Sequence, residues 1–248
     1  MAARETTAPW WDGLSITSVR YGTLALVAVN VAVFLAAPWY ISSWLRMQPI
    51  EIQARPIPFV LEADSMAIGG SGQWYRLVSA NFLHITWDHL ATNMVLLLVA
   101  GWGVESRFGT RLLVVAYVFT GTSALTAVYA FGGCTTSLGA SAAVYGLFGL
   151  IIGSVLARAV HDRRVTPQAR NVTIYSALFV ILELVGVSLP GAAHLAHFWG
   201  FGAGLLIGLC STGWGRFGRL PLVLALVALA MLAAALAVWR DATFACHV

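Results

Sequence analysis

The chain has 248 residues, of which 59% are hydrophobic and 10% are charged. Ordinary globular domains carry about 25% charged residues, so this composition excludes a soluble domain and indicates an integral membrane protein. The formal net charge is +4, but membrane proteins concentrate basic residues on their cytoplasmic loops, so the charge does not require a nucleic acid partner and we expect none.

Seven apolar stretches are long enough to cross a bilayer, since a transmembrane helix needs roughly 20 predominantly apolar residues. They lie at 21–37, 89–104, 112–131, 141–157, 172–189, 194–210 and 220–239. Proline breaks a regular helix, so we expect the first span to close at Pro38. The sequence therefore predicts an all-α integral membrane protein.

A long loop at 38–81 separates the first two spans, and loops of this length are uncommon in compact bundles. It combines several tryptophans with charged residues and contains a glycine-rich hinge at 69–72. Amphipathic aromatic residues favour the membrane interface. The loop either lies partly embedded in the interface or forms a small cap outside the membrane, and its sequence leaves both possibilities open.

The arginines predict the orientation of the chain. All 14 basic residues are arginine, and most of them fall in the segments that face the cytoplasm if the N-terminus is inside. With seven spans, the C-terminus is then outside. We therefore expect a short cytoplasmic tail at 1–20, a six-span core at 21–211, and a linker, a seventh helix and a short tail at 212–248.

The N-terminal tail and the cysteines add further expectations. Residues 1–20 contain no small-residue cleavage site, so we expect no removable signal peptide. The three cysteines are scattered along the chain and predict neither a zinc site nor a disulfide framework. In the predicted topology Cys134 and Cys246 both lie outside. The expected location is the plasma membrane of a prokaryote.

Polar residues cluster in two places beside the predicted spans, where such side chains usually face a bundle interior or a cavity. The first cluster is Arg76, His84, His89 and Asn93, and the second is His194 and His197. His89 and Asn93 are four residues apart, so they share one helix face. Both clusters fall near the predicted outer ends of their spans.

The stretch from Gly139 to Gly149 opens the fourth span. Ser141 and Tyr145 are four residues apart and so share a helix face. The small residues around them are typical of tight packing between transmembrane helices, which alone explains the stretch. The sixth span carries a matching ridge of glycines, Gly200, Gly204 and Gly208, so we expect the fourth and sixth spans to approach closely.

These residues fit serine-based acyl transfer. A serine hydroxyl is a poor nucleophile until a base takes its proton, and neutral histidine is the usual base near pH 7. We predict Ser141 as the nucleophile and His197 as the base, with His89, Asn93 and the Ser141 main-chain N–H around the oxyanion. The sixth span contains no aspartate, so the site would be a dyad.

Two other chemistries use the same residues. The histidines of the two clusters could hold a metal or haem, although neither cluster offers a cysteine or carboxylate ligand. Single histidines could also be satisfied by the backbone or by water and have no function. A channel or metal transporter would want polar residues through the full membrane thickness, whereas these clusters stay near one side, with Glu105 as the exception.

Five ordered motifs resemble the rhomboid family of intramembrane serine proteases. They are Trp74-Tyr75-Arg76; His84-x4-His89-x3-Asn93; Gly103-Val104-Glu105-Ser106-Arg107-Phe108-Gly109; Gly139-Ala140-Ser141 with Tyr145; and Ala196-His197-x2-Gly200-x3-Gly204. Together they extend over more than half of the chain, and five motifs in order are far more specific than any one of them.

The resemblance implies a six-helix core that cleaves transmembrane protein substrates within the lipid bilayer, without a metal or organic cofactor. It implies Ser141 as nucleophile, His197 as base and Tyr145 packed on His197, with Gly139, His89 and Asn93 around the oxyanion. Arg76, His84, Glu105 and Arg107 fall in the matching motifs as possible structural support. The fifth helix and the first loop are expected to gate substrate entry, and the seventh helix resembles a C-terminal addition in some members.

Two residues depart from the family pattern. Ala142 stands where the serine motif commonly has glycine, and its methyl group could crowd the sixth span. Glu183 lies in the presumed gating helix and has no assigned role. The alternative function is a catalytically inactive rhomboid-like protein that binds membrane helices, although Ser141 and His197 are both present.

Overall fold

The computed structural model describes residues 20–45, 61–163 and 192–211, with a few isolated positions between 167 and 239. The helices are α1 (Tyr21–Leu45), α2 (Ser65–Ser71), α3 (Arg76–Ser79), α4 (Trp87–Phe108), α5 (Thr110–Phe131), α6 (Ser141–Asp162) and α7 (Ala192–Leu209). A 3-10 turn covers Ala80–Phe82, and two short strands, β1 (Ala63–Asp64) and β2 (Thr136–Ser137), pair antiparallel.

The apolar helices agree with the predicted membrane fold. In the described ranges, α5 and α6 are each long and apolar enough to cross a bilayer. The segment of α3 and the 3-10 turn meets α4 at a bend of 92°, and this bent pair counts as a third span if it crosses the bilayer as one unit. The apolar parts of α1 and α7, Tyr21–Ala36 and His194–Leu209, are shorter. The predicted spans at 172–189 and 220–239, and Glu183, lie outside the described residues apart from isolated positions.

Local signals set the helix boundaries that differ from the predicted ones. Helix α4 begins at Trp87 because the Thr86 side chain accepts a hydrogen bond from the His89 main-chain N–H, as an N-cap residue does. The first helix does not stop at Pro38, since α1 continues to Leu45, although its apolar part ends at Ala36. Proline is tolerated inside transmembrane helices, where neighbouring groups satisfy the hydrogen bond that it interrupts.

The described part of the first loop is folded. Asp64 accepts a hydrogen bond from the Ala67 N–H and so caps α2. The buried Arg76 donates to the Gln73 side chain at 2.7 Å and to the Glu62 carbonyl at 3.1 Å. Through β1, which pairs with β2, the loop is attached to the segment that leads into α6. This pairing places the loop beside the start of the fourth predicted span.

A carboxylate on α4 anchors the start of α1. Glu105 accepts hydrogen bonds from the N–H groups of Gly22 and Thr23 at 2.9 and 2.8 Å. It also accepts the hydroxyl hydrogens of Thr23 and Thr110 at 2.7 and 2.6 Å. The first N–H groups of a helix have no partner inside the helix and favour negative charge, so Glu105 caps α1 from a neighbouring helix.

The core lies between α4, α5, α6 and α7, and the closest helix contact joins α6 to α7. Methyl groups added at Gly200 and Gly204 would collide with the main-chain oxygens of Ala142 and Gly146. The two backbones therefore touch, as the glycine ridges predicted. Small residues permit such an approach because no side chain separates the helices.

The cysteines differ from the sequence expectation. Cys134, in the segment between α5 and α6, is disulfide-bonded, and Cys210 carries a free thiol. The spacing of the cysteines predicted no disulfide framework and did not identify this single disulfide of Cys134. Pairing of cysteines depends on tertiary proximity, which the spacing along the chain does not reveal.

Candidate active site

Ser141 and His197 meet across the α6–α7 contact. Ser141 is the first residue of α6, and His197 lies in the second turn of α7. Ser141 Oγ and His197 Nε2 are 2.8 Å apart, which is a short hydrogen bond between a hydroxyl and an imidazole nitrogen. His197 is buried, whereas Ser141 is half-buried.

Tyr145 fixes the plane of the imidazole. Its ring stacks on the His197 ring with centroids 4.3 Å apart and an interplanar angle of 4°. It reaches this position because it lies one turn along α6 from Ser141, on the same face. No acidic residue occurs in the sequence of α7, so this helix does not supply the carboxylate that often orients a catalytic histidine.

Ala142 does not separate the two helices. Its side chain is buried in a small cluster with Ala124, Val128 and Ala196, so its methyl group fills a space lined by other small residues. The close approach instead occurs where Gly200 meets the Ala142 carbonyl. The crowding that the sequence raised for Ala142 is therefore avoided, because the methyl group points into this cluster.

Gly139 lies against His89 next to the serine. Its φ angle of +123° is one that residues with a side chain rarely adopt. A methyl group added there would lie 3.0 Å from His89 Cε1 and 3.1 Å from Nε2. The Gly139 N–H donates to the Ala80 carbonyl at 2.9 Å. Glycine at this position thus allows the His89 ring to approach the chain two residues before Ser141.

Asn93 and His84 complete the first polar cluster. The buried Asn93 donates its amide to the His89 carbonyl at 2.9 Å, on the helix face that the spacing predicted. The His84 ring packs edge-on to the His89 ring with centroids 5.1 Å apart. His84 is buried, and neither of its ring nitrogens has a hydrogen-bond partner within the described part of the chain.

The start of α6 offers donors for a negative charge. The first N–H groups of a helix lack partners within the helix, and the helix dipole favours an anion at this end. Ser141 occupies the first position of α6, and Ala140 before it makes no side-chain cap. The His89 ring lies close to this helix start, because it packs against Gly139 two residues before Ser141.

The other predicted support residues lie elsewhere. Arg76 clamps the first loop through Gln73 and Glu62, as described above. Glu105 and Arg107 lie at the opposite end of α4, and Glu105 is about 24 Å from His89 along the helix axis at 1.5 Å per residue. The Arg107 guanidinium lies 5.2 Å from the centre of the Phe108 ring. These two residues therefore support the fold and do not contact the Ser141–His197 pair.

The sequence did not single out a layer of residues behind the site. Asn30, Asn81 and Tyr117 are buried and hydrogen-bonded to one another, and Gly121 packs on Asn81. Their only sequence signal was a polar residue within an apolar stretch. Among the described residues, no group of three or more His, Cys, Asp or Glu side chains is placed to hold a metal ion.

A comparison with protein families shows the family to which this chain belongs. The profile of the rhomboid domain matches residues 71–214, more than half of the chain. The chain belongs to the rhomboid family. The matched range begins before Arg76 and ends just after α7, so it includes both members of the Ser141–His197 pair.

Individual rhomboids are similar to this chain at about 30% identity. Rhomboid protease GluP of Bacillus subtilis is 29% identical over 174 residues, which are 68% of this chain and 33% of that protein. Rhomboid-type serine protease 2 of Emericella nidulans is 29% identical over 140 residues, 56% of this chain and 27% of that protein. Rhomboid-like protein 11, chloroplastic, of Arabidopsis thaliana is 30% identical over 152 residues, 54% of this chain and 51% of that protein. This rhomboid therefore spans about half or less of the length of these relatives.

Proposed function

We propose that this rhomboid is an intramembrane serine endopeptidase that uses Ser141 and His197 as a dyad. The contact of 2.8 Å between Ser141 Oγ and His197 Nε2 carries the proposal, because nucleophilic catalysis by serine requires a base within hydrogen-bond reach. The names of two relatives, a rhomboid protease and a rhomboid-type serine protease, support the same chemistry.

The reaction proceeds through an acyl-enzyme. His197 Nε2 takes the proton of Ser141 as Oγ bonds to the carbonyl carbon of the scissile peptide, and the carbonyl oxygen becomes negative. When this intermediate collapses, the C–N bond breaks and His197 gives its proton to the departing amine. Water then attacks the serine ester, His197 takes one of its protons, and the Ser141 hydroxyl is restored.

The oxyanion is held at the start of α6. The Ser141 N–H, the His89 ring and the Asn93 amide are the proposed donors, and Gly139 leaves room for His89 beside them. One such donor contributes about 3 kcal/mol to transition-state stabilisation. Tyr145 keeps the imidazole in the plane that both proton transfers need, so the stack reduces the reorganisation of His197 during the cycle.

The proposed substrates are transmembrane proteins, cleaved in or near their membrane-spanning segments. A helix in lipid has every main-chain group paired, so cleavage requires local unwinding and a water-accessible site, which the half-buried Ser141 provides. The proposed location is the plasma membrane of a prokaryote, with the N-terminus in the cytoplasm. The proposed organisation keeps a six-span core at 21–211 and one further helix after it.

The test compares wild type with Ser141→Ala and His197→Ala, purified in detergent and offered a panel of single-span reporter proteins. Ser154→Ala is the matched control, since it makes the same change on α6 at a buried serine that hydrogen-bonds within its own helix. We expect cleavage by wild type and the control, and none by the two active-site variants. Labelling of Ser141 by a fluorophosphonate should follow the same pattern.

Two outcomes would contradict the proposal. Cleavage that survives Ser141→Ala would remove Ser141 as the nucleophile. No cleavage of any reporter, together with no fluorophosphonate labelling, would favour the inactive rhomboid-like protein that binds membrane helices. Binding of a reporter without cleavage, measured by cross-linking, would identify that second function directly.

A further inference from the structure

A buried hydroxyl group connects α1 and α5 to the turn behind the active site. Tyr117 on α5 is fully buried. Its hydroxyl lies 3.0 Å from the Asn81 main-chain oxygen and 3.1 Å from Asn30 Nδ2 on α1. A tyrosine hydroxyl has one hydrogen to donate, and two acceptors lie within reach, the Asn81 carbonyl at 3.0 Å and Asn30 Oδ1 at 3.3 Å. The shorter distance favours donation to the Asn81 carbonyl, while the hydroxyl oxygen accepts from Asn30 Nδ2. The Asn30 amide also donates to the Leu26 carbonyl at 2.8 Å.

The turn that receives this hydrogen bond is fixed on several sides. Asn81 is fully buried, and its amide donates to the carbonyls of Leu77 and Val78 at 2.8 and 3.2 Å. Its side-chain oxygen lies directly over Gly121 of α5, where an added methyl group would collide with it. Asn81 therefore fits only against a residue without a side chain, and this contact fixes the distance between the turn and α5.

The same turn contacts the active site through the preceding residue. The Ala80 carbonyl accepts the Gly139 N–H at 2.9 Å. Gly139 in turn lies against His89 and precedes Ser141 by two residues. Two consecutive carbonyl groups of one 3-10 turn thus point to different partners, since Asn81 binds Tyr117 and Ala80 binds Gly139.

We propose that Tyr117 and Asn30 are positioning residues for the active site. Through the Asn81 carbonyl they hold the 3-10 turn in place, and the turn holds Gly139 against His89 and sets the entry of the chain into Ser141. This inference rests on the proposed protease function. Its physical basis is that acyl transfer tolerates little displacement, since a misplacement of about 1 Å can slow an enzyme about 100-fold.

A purely structural role makes a different prediction. If Tyr117 and Asn30 only stabilise the fold, their replacement should lower stability and leave the folded molecules equally reactive. If they position the site, folded molecules should react more slowly and the Gly139 N–H should lose protection. Glu105→Gln is the matched control, because it removes the charge from another buried hydrogen-bonded group on the same bundle, about 24 Å along α4 from His89.

The experiment uses the full chain in detergent micelles, with Tyr117→Phe, Asn30→Leu and Glu105→Gln compared with wild type. Amide hydrogen exchange of the peptide containing Gly139 is measured first, because it does not depend on activity. We expect Tyr117→Phe to exchange the Gly139 N–H about tenfold faster than wild type, and Glu105→Gln to leave it unchanged. Asn30→Leu should show a smaller increase, since the Tyr117 hydroxyl keeps its bond to Asn81.

The second measurement is the rate of fluorophosphonate labelling per folded molecule, with kcat and KM on a cleaved reporter. Positioning predicts that Tyr117→Phe lowers the labelling rate and kcat about tenfold, while KM stays within about twofold of wild type. Glu105→Gln should label at the wild-type rate once the folded fraction is taken into account.

The outcomes separate the inference from the proposed function. Unchanged Gly139 exchange in Tyr117→Phe would overturn the inference, whatever the activity. Equal slowing of labelling by Tyr117→Phe and Glu105→Gln would also overturn it. Faster Gly139 exchange in a protein whose wild type neither labels nor cleaves would uphold the connection from Tyr117 to Gly139, and the proposed protease function would then be the part that fails.

Discussion

The two ends of α4 contain polar clusters of opposite kinds. At one end, the Glu105 carboxylate accepts four hydrogen bonds from α1 and α5, and the side chain is buried. At the other end, His84 is buried with no hydrogen-bond partner for either ring nitrogen among the described residues, and Ser141 is only half-buried. Both clusters lie in an apolar bundle, where unpaired polar groups are costly.

The difference separates structural polar groups from reactive ones. A saturated carboxylate has no lone pair left for a ligand, so Glu105 can only hold helices together. Ser141 Oγ and His197 Nε2 share a hydrogen bond between two groups that each change partners during the proposed reaction. A helix bundle can tolerate a reactive cluster of this kind because fully hydrogen-bonded groups such as Glu105 stabilise the fold elsewhere.

The largest expected effect comes from separating α6 and α7. In Gly204→Leu, the new side chain must displace the Gly146 carbonyl, which a methyl group alone would already strike. We expect cleavage to fall more than about 100-fold, because small displacements of reacting groups slow catalysis strongly. Stability should also fall, by about 3 kcal/mol for overpacking. Reporter cleavage and denaturation in mixed micelles measure the two effects.

The control for this change lies two residues away on α7. A methyl group added at Gly202 meets nothing within 4 Å, so Gly202→Ala should retain cleavage and stability close to wild type. Equal losses in Gly202→Ala and Gly204→Leu would show that α7 tolerates no side chains in general, and the close contact with α6 would then not be the cause.

The second expected effect is confined to stability. Glu105→Gln keeps the shape of the side chain. It replaces one carboxylate oxygen, which accepts hydrogen bonds, with an NH2 group, which can only donate and therefore faces other donors. We expect a loss of about 3 kcal/mol in the free energy of unfolding, since hydrogen bonds to a buried charged group are among the strongest. Denaturation in mixed micelles measures this loss. A reduction in reporter cleavage per folded molecule would contradict the separation of the two clusters.

The smallest expected effect concerns the aromatic stack on the base. Tyr145→Leu removes the ring that lies on His197, and Tyr145→Phe keeps it. An aromatic pair contributes about 1 kcal/mol beyond its buried area, so we expect kcat to fall about fivefold to tenfold in Tyr145→Leu. Tyr145→Phe should stay nearer to wild type. Equal kcat values for the two variants would show that the stack does not orient His197.

Helix periodicity predicted the faces of the bundle well. Ser141 and Tyr145, and His89 and Asn93, share faces because of their spacing, and the structure places each pair as expected. The ridges of small residues also predicted the contact between α6 and α7, since a glycine has no side chain to hold the main-chain atoms of two helices apart. These features are local or repetitive, and a sequence displays them directly.

Contacts between distant segments could not be predicted in this way. Periodicity showed that Glu105 was an unusual charge near one side, but it could not identify Gly22 and Thr23, more than 80 positions earlier, as its partners. The link from Tyr117 to Asn81 and the disulfide of Cys134 are non-local in the same sense. Pro38 was misread because the rule for proline breaking a helix comes from water, where no neighbouring helix compensates.

The direct backbone contact between α6 and α7 limits how this rhomboid can open. Side chains can change rotamer to admit a ligand, but carbonyl groups packed against glycine Cα atoms have no such freedom. Ser141 and His197 lie on these two tightly packed helices, so we expect their spacing to be maintained when a substrate binds to the proposed protease. We therefore expect any entrance to the site to form between elements other than α6 and α7. The proposed dyad would then stay assembled while that entrance opens and closes.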